Sequence, residues 1–381
     1  MINNSSSQAP KKTYPQADSS PRRKAAIEAA TEPLFGLRLS GISGIIGLIV
    51  LLLIVFLASL ALGSVSIPLS EVIAALLGRE TTHAAWREIV VDFRLPRALT
   101  AMVAGAALAN SGLQLQALFR NPLAGPSILG INAGASLGAA LVVLSGGAIG
   151  SSAITSGRLS SWLAQLSLVG AASMGAAIAM LLVILVARQV RSSLALLIFG
   201  LMFGYTTTAL VTILLHFSQI DQTLAYLSWT FGSFSGVTWQ QLPVLLVVTI
   251  LGLGLSFLFA KLLDVLLLGE EQAIGLGLSL NRVRCCLIVS ASVLAGSVTA
   301  FCGPIAFLGV AVPHLTRTLL RTLSHRILIP ATTLLGAILA LVADAIAQLP
   351  GSQTLLPLNA VTALLGAPVL IWLMLKRYQL F

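Results

Sequence analysis

Arg94 and Arg97 flank a Leu-Pro pair, which sets two guanidinium forks at the edge of an apolar run. The proline fixes the backbone there, and a guanidinium suits bidentate recognition of a carboxylate. Two uses stay open: receiving acidic groups of a partner, or anchoring a helix end. Between Leu263 and Arg284 a polar cluster of Asp264, Glu270, Glu271, Arg282 and Arg284 interrupts the apolar pattern, while Ala273, Ile274, Leu276, Leu278 and Leu280 keep an apolar face. Two short amphipathic helices fit that stretch. The pairs Asn121-Pro122 and Ser192-Ser193 are small and polar. They suit a constriction that closes without a charge barrier, and equally turns or helix caps.

Other chemistries find no support in the residue pattern. The five lysines (Lys11, Lys12, Lys24, Lys261 and Lys376) do not follow glycine, so a phosphate-binding G-x-x-x-x-G-K-[ST] loop is absent from the sequence. His83, His216, His314 and His325 are scattered, with no H-E-x-x-H spacing and no cysteine nearby, which argues for structural or interfacial histidines rather than a metal or haem centre. Cys285, Cys286 and Cys302 all lie in apolar sequence and are expected to be packing residues. Asp344 is the only acid deep in an apolar run. Without a basic partner in another span it makes a poor proton relay, and it sits either near a helix end or hydrogen-bonded within the bundle.

The elements that must hold these residues are membrane helices. Of 381 residues, 57% are hydrophobic and 9% charged, whereas a soluble domain carries about 25% charged residues. The net charge of +10 is dispersed among apolar stretches rather than gathered into a nucleic-acid-binding stripe. Residues 1–38 read as a disordered basic tail, followed by a membrane domain over 39–381 with apolar segments at about 39–62, 95–119, 127–148, 162–187, 193–216, 239–260, 285–302, 304–320, 327–349 and 357–375. Of these, 304–320 is short for a crossing. Basic residues before the first run, and Lys376 and Arg377 after the last, place both termini in the cytoplasm and demand an even number of crossings. Small-residue runs such as Gly105-Ala106-Ala107 and Gly134-Ala135-Ser136-Leu137-Gly138 predict close helix packing.

Motifs in order along the chain carry a resemblance. Arg94-Leu-Pro-Arg97, Gly105-Ala-Ala-Leu-Ala-Asn-Ser-Gly112 and Gln116-Ala-Leu-Phe-Arg-Asn-Pro-Leu-Ala-Gly-Pro126 form a first block. Gly269-Glu270, Ala273, Leu276-Gly277, Gly303-Pro-Ile-Ala-Phe-Leu-Gly309, Val312-Pro-His314, Ala343-Asp344 and Gly366-Ala-Pro368 form a second. Together they resemble the permease subunits of binding-protein-dependent ABC importers for iron-siderophores, haem and cobalamin, over about 64–377.

The resemblance implies an all-α integral membrane protein of about ten transmembrane helices with a weak inverted repeat, working as one half of a dimeric permease in the bacterial inner membrane. It implies partners: a second permease subunit, the same or related, two cytoplasmic subunits that bind ATP and Mg, and an external substrate-binding protein. No cofactor is expected in this chain, and no catalysis. By the same resemblance Glu270, Ala273 and Gly277 in the 263–284 loop contact the ATP-hydrolysing subunit, Arg94 and Arg97 receive the binding protein, and Asn121, Ser192 and Ser193 narrow the cytoplasmic exit. A third family arginine corresponds to Gln348. The expected substrate is an iron(III)-siderophore, with haem or cobalamin as alternatives. A proton-coupled secondary transporter is the rival from another class, and it needs paired intramembrane ionisable groups.

Overall fold

The computed structural model describes residues 41–63, 65–144, 161–190, 192–348 and 356–378. The tail 1–38 lies outside the described residues, as do the side chains of Ser193 and Glu270. Among the described residues all regular structure is helical: α1 (Gly41–Ala61), α2 (Leu69–Leu76), α3 (Ala84–Glu88), α4 (Leu95–Phe119), α5 (Ile131–Leu144), α6 (Ser161–Gln189), α7 (Ser193–Phe217) and α8 (Ile220–Thr230). There follow α9 (Leu242–Leu258), α10 (Ala260–Leu268), α11 (Glu270–Gly275), α12 (Leu280–Cys302), α13 (Leu308–Leu320), α14 (His325–Ala347) and α15 (Leu358–Tyr378).

Among the described residues six helices are long and apolar enough to cross a membrane, and α9 with α10, bent by 49°, makes a seventh if the pair counts as one span. Residues 131–144 and 358–371 are shorter apolar helices. The short eighth segment, 304–320, is α13, which starts only at Leu308 because Gly303 and Phe307 take positive φ angles of 74° and 65° that break the helix before it. One boundary differs from the sequence pattern. The helix entering α4 begins at Ala84 and runs through a widened stretch, Ile89–Arg94, rather than starting near 95. Its added turns carry Arg87, Glu88 and Asp92, which hydropathy reads as loop although charged residues sit readily on an exposed helix.

α4 is the axis of the bundle, packed by α9, α12, α13 and α14. Its small residues make this possible. A Cβ on Gly105 would stand 2.2 Å from the Gly336 carbonyl oxygen of α14, and one on Gly112 would stand 1.5 Å from that of Gly309 in α13. Such backbone contact replaces the apolar driving force that lipid removes. The α4–α14 crossing is antiparallel, and it sets the level of the polar residues at both ends of the bundle.

Candidate functional site

Arg97 lies eight residues before Gly105 and Asp344 eight after Gly336, so the crossing brings them level at one end. Arg97 Nε is 3.0 Å from both Asp344 carboxylate oxygens and Nη2 is 2.9 Å from Oδ1. Gln348, one turn after Asp344, donates its amide to Oδ2 at 2.8 Å. The side chains of Arg97 and Asp344 are only 17% and 4% exposed. The expectation that Asp344 lacks a basic partner in another span is therefore overturned. The partner is 247 residues away in sequence, and only the glycine crossing reveals it.

Arg94 is engaged as well. Its Nη1 donates to the carbonyls of Leu60 (2.7 Å) and Ala61 (3.1 Å), and Nη2 donates to that of Val65. A cation at the last carbonyls of α1 satisfies acceptors that the helix leaves open and complements its dipole. Both arginines thus reach the predicted end of the bundle, and both guanidinium groups are bonded within the chain.

At the opposite, basic end, the 263–284 stretch folds largely into two short helices, α10 and α11, hinged at Gly269 with φ +122°. Ala273 is fully buried, whereas Leu268, Ile274 and Leu276 are 61%, 58% and 64% exposed. Gly277 takes φ +83° in open space, a left-handed turn that glycine adopts without strain. Asp264 of α10 reaches across to α14: its Oδ1 accepts from His325 N at 2.9 Å and lies 2.6 Å from Nδ1. His325 Nε2 is buried with no hydrogen-bond partner among the described residues, so the geometry assigns the ring proton to Nδ1 and a neutral imidazole. One carboxylate thereby caps α14 and ties it to the α10–α11 segment.

The small polar pairs make local bonds. Asn121 Oδ1 accepts from Leu123 N at 2.9 Å, closing a turn, and Ser192 Oγ accepts from Ala195 N at 3.3 Å as the N-cap of α7. The Asn121 turn is also gripped from α13. His314 Nε2 is 2.8 Å from the Pro122 carbonyl, Gln116 Nε2 donates to Val310 O at 3.1 Å, and Arg317 Nη1 donates to Gln116 Oε1 at 2.6 Å. Sequence reasoning found the turn and missed its clamp, although the Val312-Pro313-His314 motif was visible. Hydropathy found α7 as the 193–216 run but gave no sign of its face, where Leu201, Met202, Tyr205, Ile213 and Phe217 are exposed. Among the described residues no three His, Cys, Asp or Glu side chains gather as metal ligands.

Comparison with known proteins settles the class. The model of the FecCD transport family matches residues 51–376. The chain belongs to the FecCD transport family. The vitamin B12 import system permease protein BtuC of Salmonella paratyphi A is 38% identical over 289 residues, which cover 75% of this chain and 83% of the relative, and BtuC of Salmonella typhimurium matches equally. Among solved structures, an ABC transporter of metal-chelate type in an inward-facing conformation superposes with a TM-score of 0.75 at 28% identity, covering 87% of this chain and 98% of that one. A FecCD-family chain is a permease subunit of an ABC importer, and this one is a multi-pass protein of the inner membrane.

Proposed function

We propose that this permease carries a metal chelate inward through a pathway shared with a second permease subunit, the same chain or a related one, driven by two separate subunits that bind ATP and Mg. The observation that carries this reading is the basic end. There α10 and α11 present Leu268, Ile274 and Leu276 outward beside the buried Ala273, an apolar face with no use in a solvated loop and suited to the groove of a partner. Glu270, Ala273 and Gly277 belong to that contact. The outward face of α7 supplies the matching surface for the second permease subunit and the pathway.

Orientation follows from charge. Arg120, Arg188, Lys261, Arg282, Arg284, Arg317, Arg321 and Arg326 fall at the α10–α11 end, against Asp264, Glu270 and Glu271. In this reading that end faces the cytoplasm by the positive-inside rule, with the 263–284 stretch and both termini on the same side. The Asn121 turn, held by His314 through the Pro122 carbonyl, then lies with Ser192 and Ser193 at the cytoplasmic exit. Arg94 and Arg97 hold the external ends of α1, α4 and α14 beneath the surface that meets the binding protein. A carboxylate of that protein reaches Arg97 by competing with Asp344. The Arg97–Asp344 pair does not make a proton carrier, because it sits at a helix end with its charges mutually satisfied.

Within the metal chelates, a cobalt corrinoid is favoured by the 38% identity to vitamin B12 permeases. An iron(III)-siderophore is the second reading, supported by the fold match to a metal-chelate type importer. The test is purification of the complex with its binding protein, followed by binding of cyanocobalamin and of ferric siderophores. Retention of cobalamin with no ferric chelate bound supports the first reading, the reverse supports the second, and retention of neither rejects the proposed class.

A further inference from the structure

A cavity of about 620 Å³ opens between α6 and α9, over the outer half of α12. Both α6 and α9 pack on α12, and the groove is the space left between them. Along α6 it runs from Val169 to Met180, a rise of about 16 Å of helix. That is the depth of one leaflet, half of a hydrocarbon core about 30 Å thick. On α9 it ends at Val248 and on α12 it reaches Phe301, next to the Arg97 end. The groove is therefore confined to the external half of the membrane.

Its chemistry is graded. The mouth carries the uncharged polar side chains of Thr238 and Gln240, just before α9 begins, and no charged residue lines any part of it. Below the mouth the walls are mainly valine, alanine, glycine, methionine and phenylalanine, interrupted by the hydroxyls of Ser173 and Ser297. Gly170 and Ala177 leave the lipid-facing side open. At the deep end the Ser292 hydroxyl is buried without a hydrogen-bond partner among the described residues. We propose that this groove binds one acyl chain of an external-leaflet glycerophospholipid, with the ester region held at Thr238 and Gln240. The bound chain fills the space between α6 and α9, which then pack through lipid. A groove of single-leaflet depth with a polar uncharged mouth fits such a chain. A polar solute would find no charge and only scattered serine hydroxyls below the mouth, of which that of Ser297 already donates to the Leu294 carbonyl.

The test uses the full transporter in vesicles containing a phosphatidylglycerol with a photoreactive diazirine midway along one acyl chain. Labelled peptides are mapped by mass spectrometry, with the lipid-facing residues Ile46, Val50 and Leu53 of α1 as the background of ordinary annular lipid. The proposal expects labelling of 169–180, 244–248 and 292–301 well above that background and slow to exchange with added unlabelled lipid. A Cβ on Gly170 meets no atom within 4 Å, so Gly170→Trp has room to start into the groove, and it is expected to lower this labelling to the α1 level. Ala177→Leu serves where the tryptophan variant fails to accumulate. Ser292→Ala removes the unpartnered hydroxyl and should leave labelling unchanged or raised. Labelling no higher than on α1, labelling insensitive to the filling variants, or a fall in Ser292→Ala would each overturn the acyl-chain assignment, the last pointing to a polar ligand.

Discussion

The two ends of the bundle use their charged and apolar groups in opposite ways. At the Arg97 end the charges turn inward: Arg94 caps α1, and Arg97, Asp344 and Gln348 form one bonded cluster. At the α10–α11 end Asp264 clamps His325 and Arg317 bonds Gln116, while Leu268, Ile274 and Leu276 point out. A fold needs its buried charges matched and its apolar groups covered. The first end matches its buried charges within the chain, whereas the second sets an exposed apolar face beside its clamp, the face at which we propose that the ATP-hydrolysing partner docks. Four substitutions or conditions probe the contrast, from the largest effect to the smallest.

Asp344→Ala leaves the Arg97 guanidinium mostly buried and unpaired, which should cost about 3–5 kcal/mol. Thermal unfolding of the detergent-purified protein measures it, and a double Arg97→Leu, Asp344→Leu variant is expected to recover most of the loss. An Asp344→Ala variant as stable as the parent would show that the pair does not support the fold. Ile274→Glu with Leu276→Glu should do the reverse. Both side chains are exposed, so stability holds within about 0.5 kcal/mol, while loss of two central apolar contacts should weaken attachment of the ATP-hydrolysing subunits by at least about 2 kcal/mol. Co-purification from the membrane reads this directly.

Asp264→Ala removes the cap of α14 and leaves the His325 donors unbonded, with an expected loss of about 0.5–2 kcal/mol. Its diagnostic is a larger fall in transport than in stability, because the same bond ties α10 to α14. Asp264→Asn, which can still accept, should restore stability in large part.

The smallest effect concerns the external surface. The Thr82 hydroxyl and amide bond the Glu71 carboxylate and hold its pKa below the usual range. A group with a depressed folded pKa stabilises above its unfolded pKa and loses that contribution as pH falls through the folded value. Loosening of residues 78–82 from α2 is therefore expected only under acid conditions, below the ordinary carboxylate range. Amide exchange of this loop should show it, and Glu71→Gln should loosen the loop at neutral pH without a change in overall unfolding.

Much of the architecture was legible because lipid makes strong demands on composition. The small residues of α4 announced backbone contact, the polar interruption after Leu263 announced two short helices, and the brevity of 304–320 announced an incomplete crossing. Residues acting across the bundle were not legible. The Arg97–Asp344 pair depends on the level of one antiparallel crossing, and the clamp of His314 on Pro122 depends on an irregular turn meeting α13. Hydropathy has no term for either. Gln348, which departs from the family pattern, gains its role only from the structure, where its amide completes the bonding of Asp344.

The central claim is that ATP hydrolysed by partner subunits at the α10–α11 face drives chelate import through this chain. The direct measurement is uptake of labelled metal chelate into proteoliposomes holding the full complex and its binding protein. It is made with ATP inside or outside the vesicles, with and without a proton ionophore, for the parent and the Ile274→Glu, Leu276→Glu variant. Uptake that requires ATP on the α10–α11 side, persists with the ionophore and collapses in the variant is the predicted result. Uptake that proceeds without ATP, stops with the ionophore and is unaltered by the variant would contradict it.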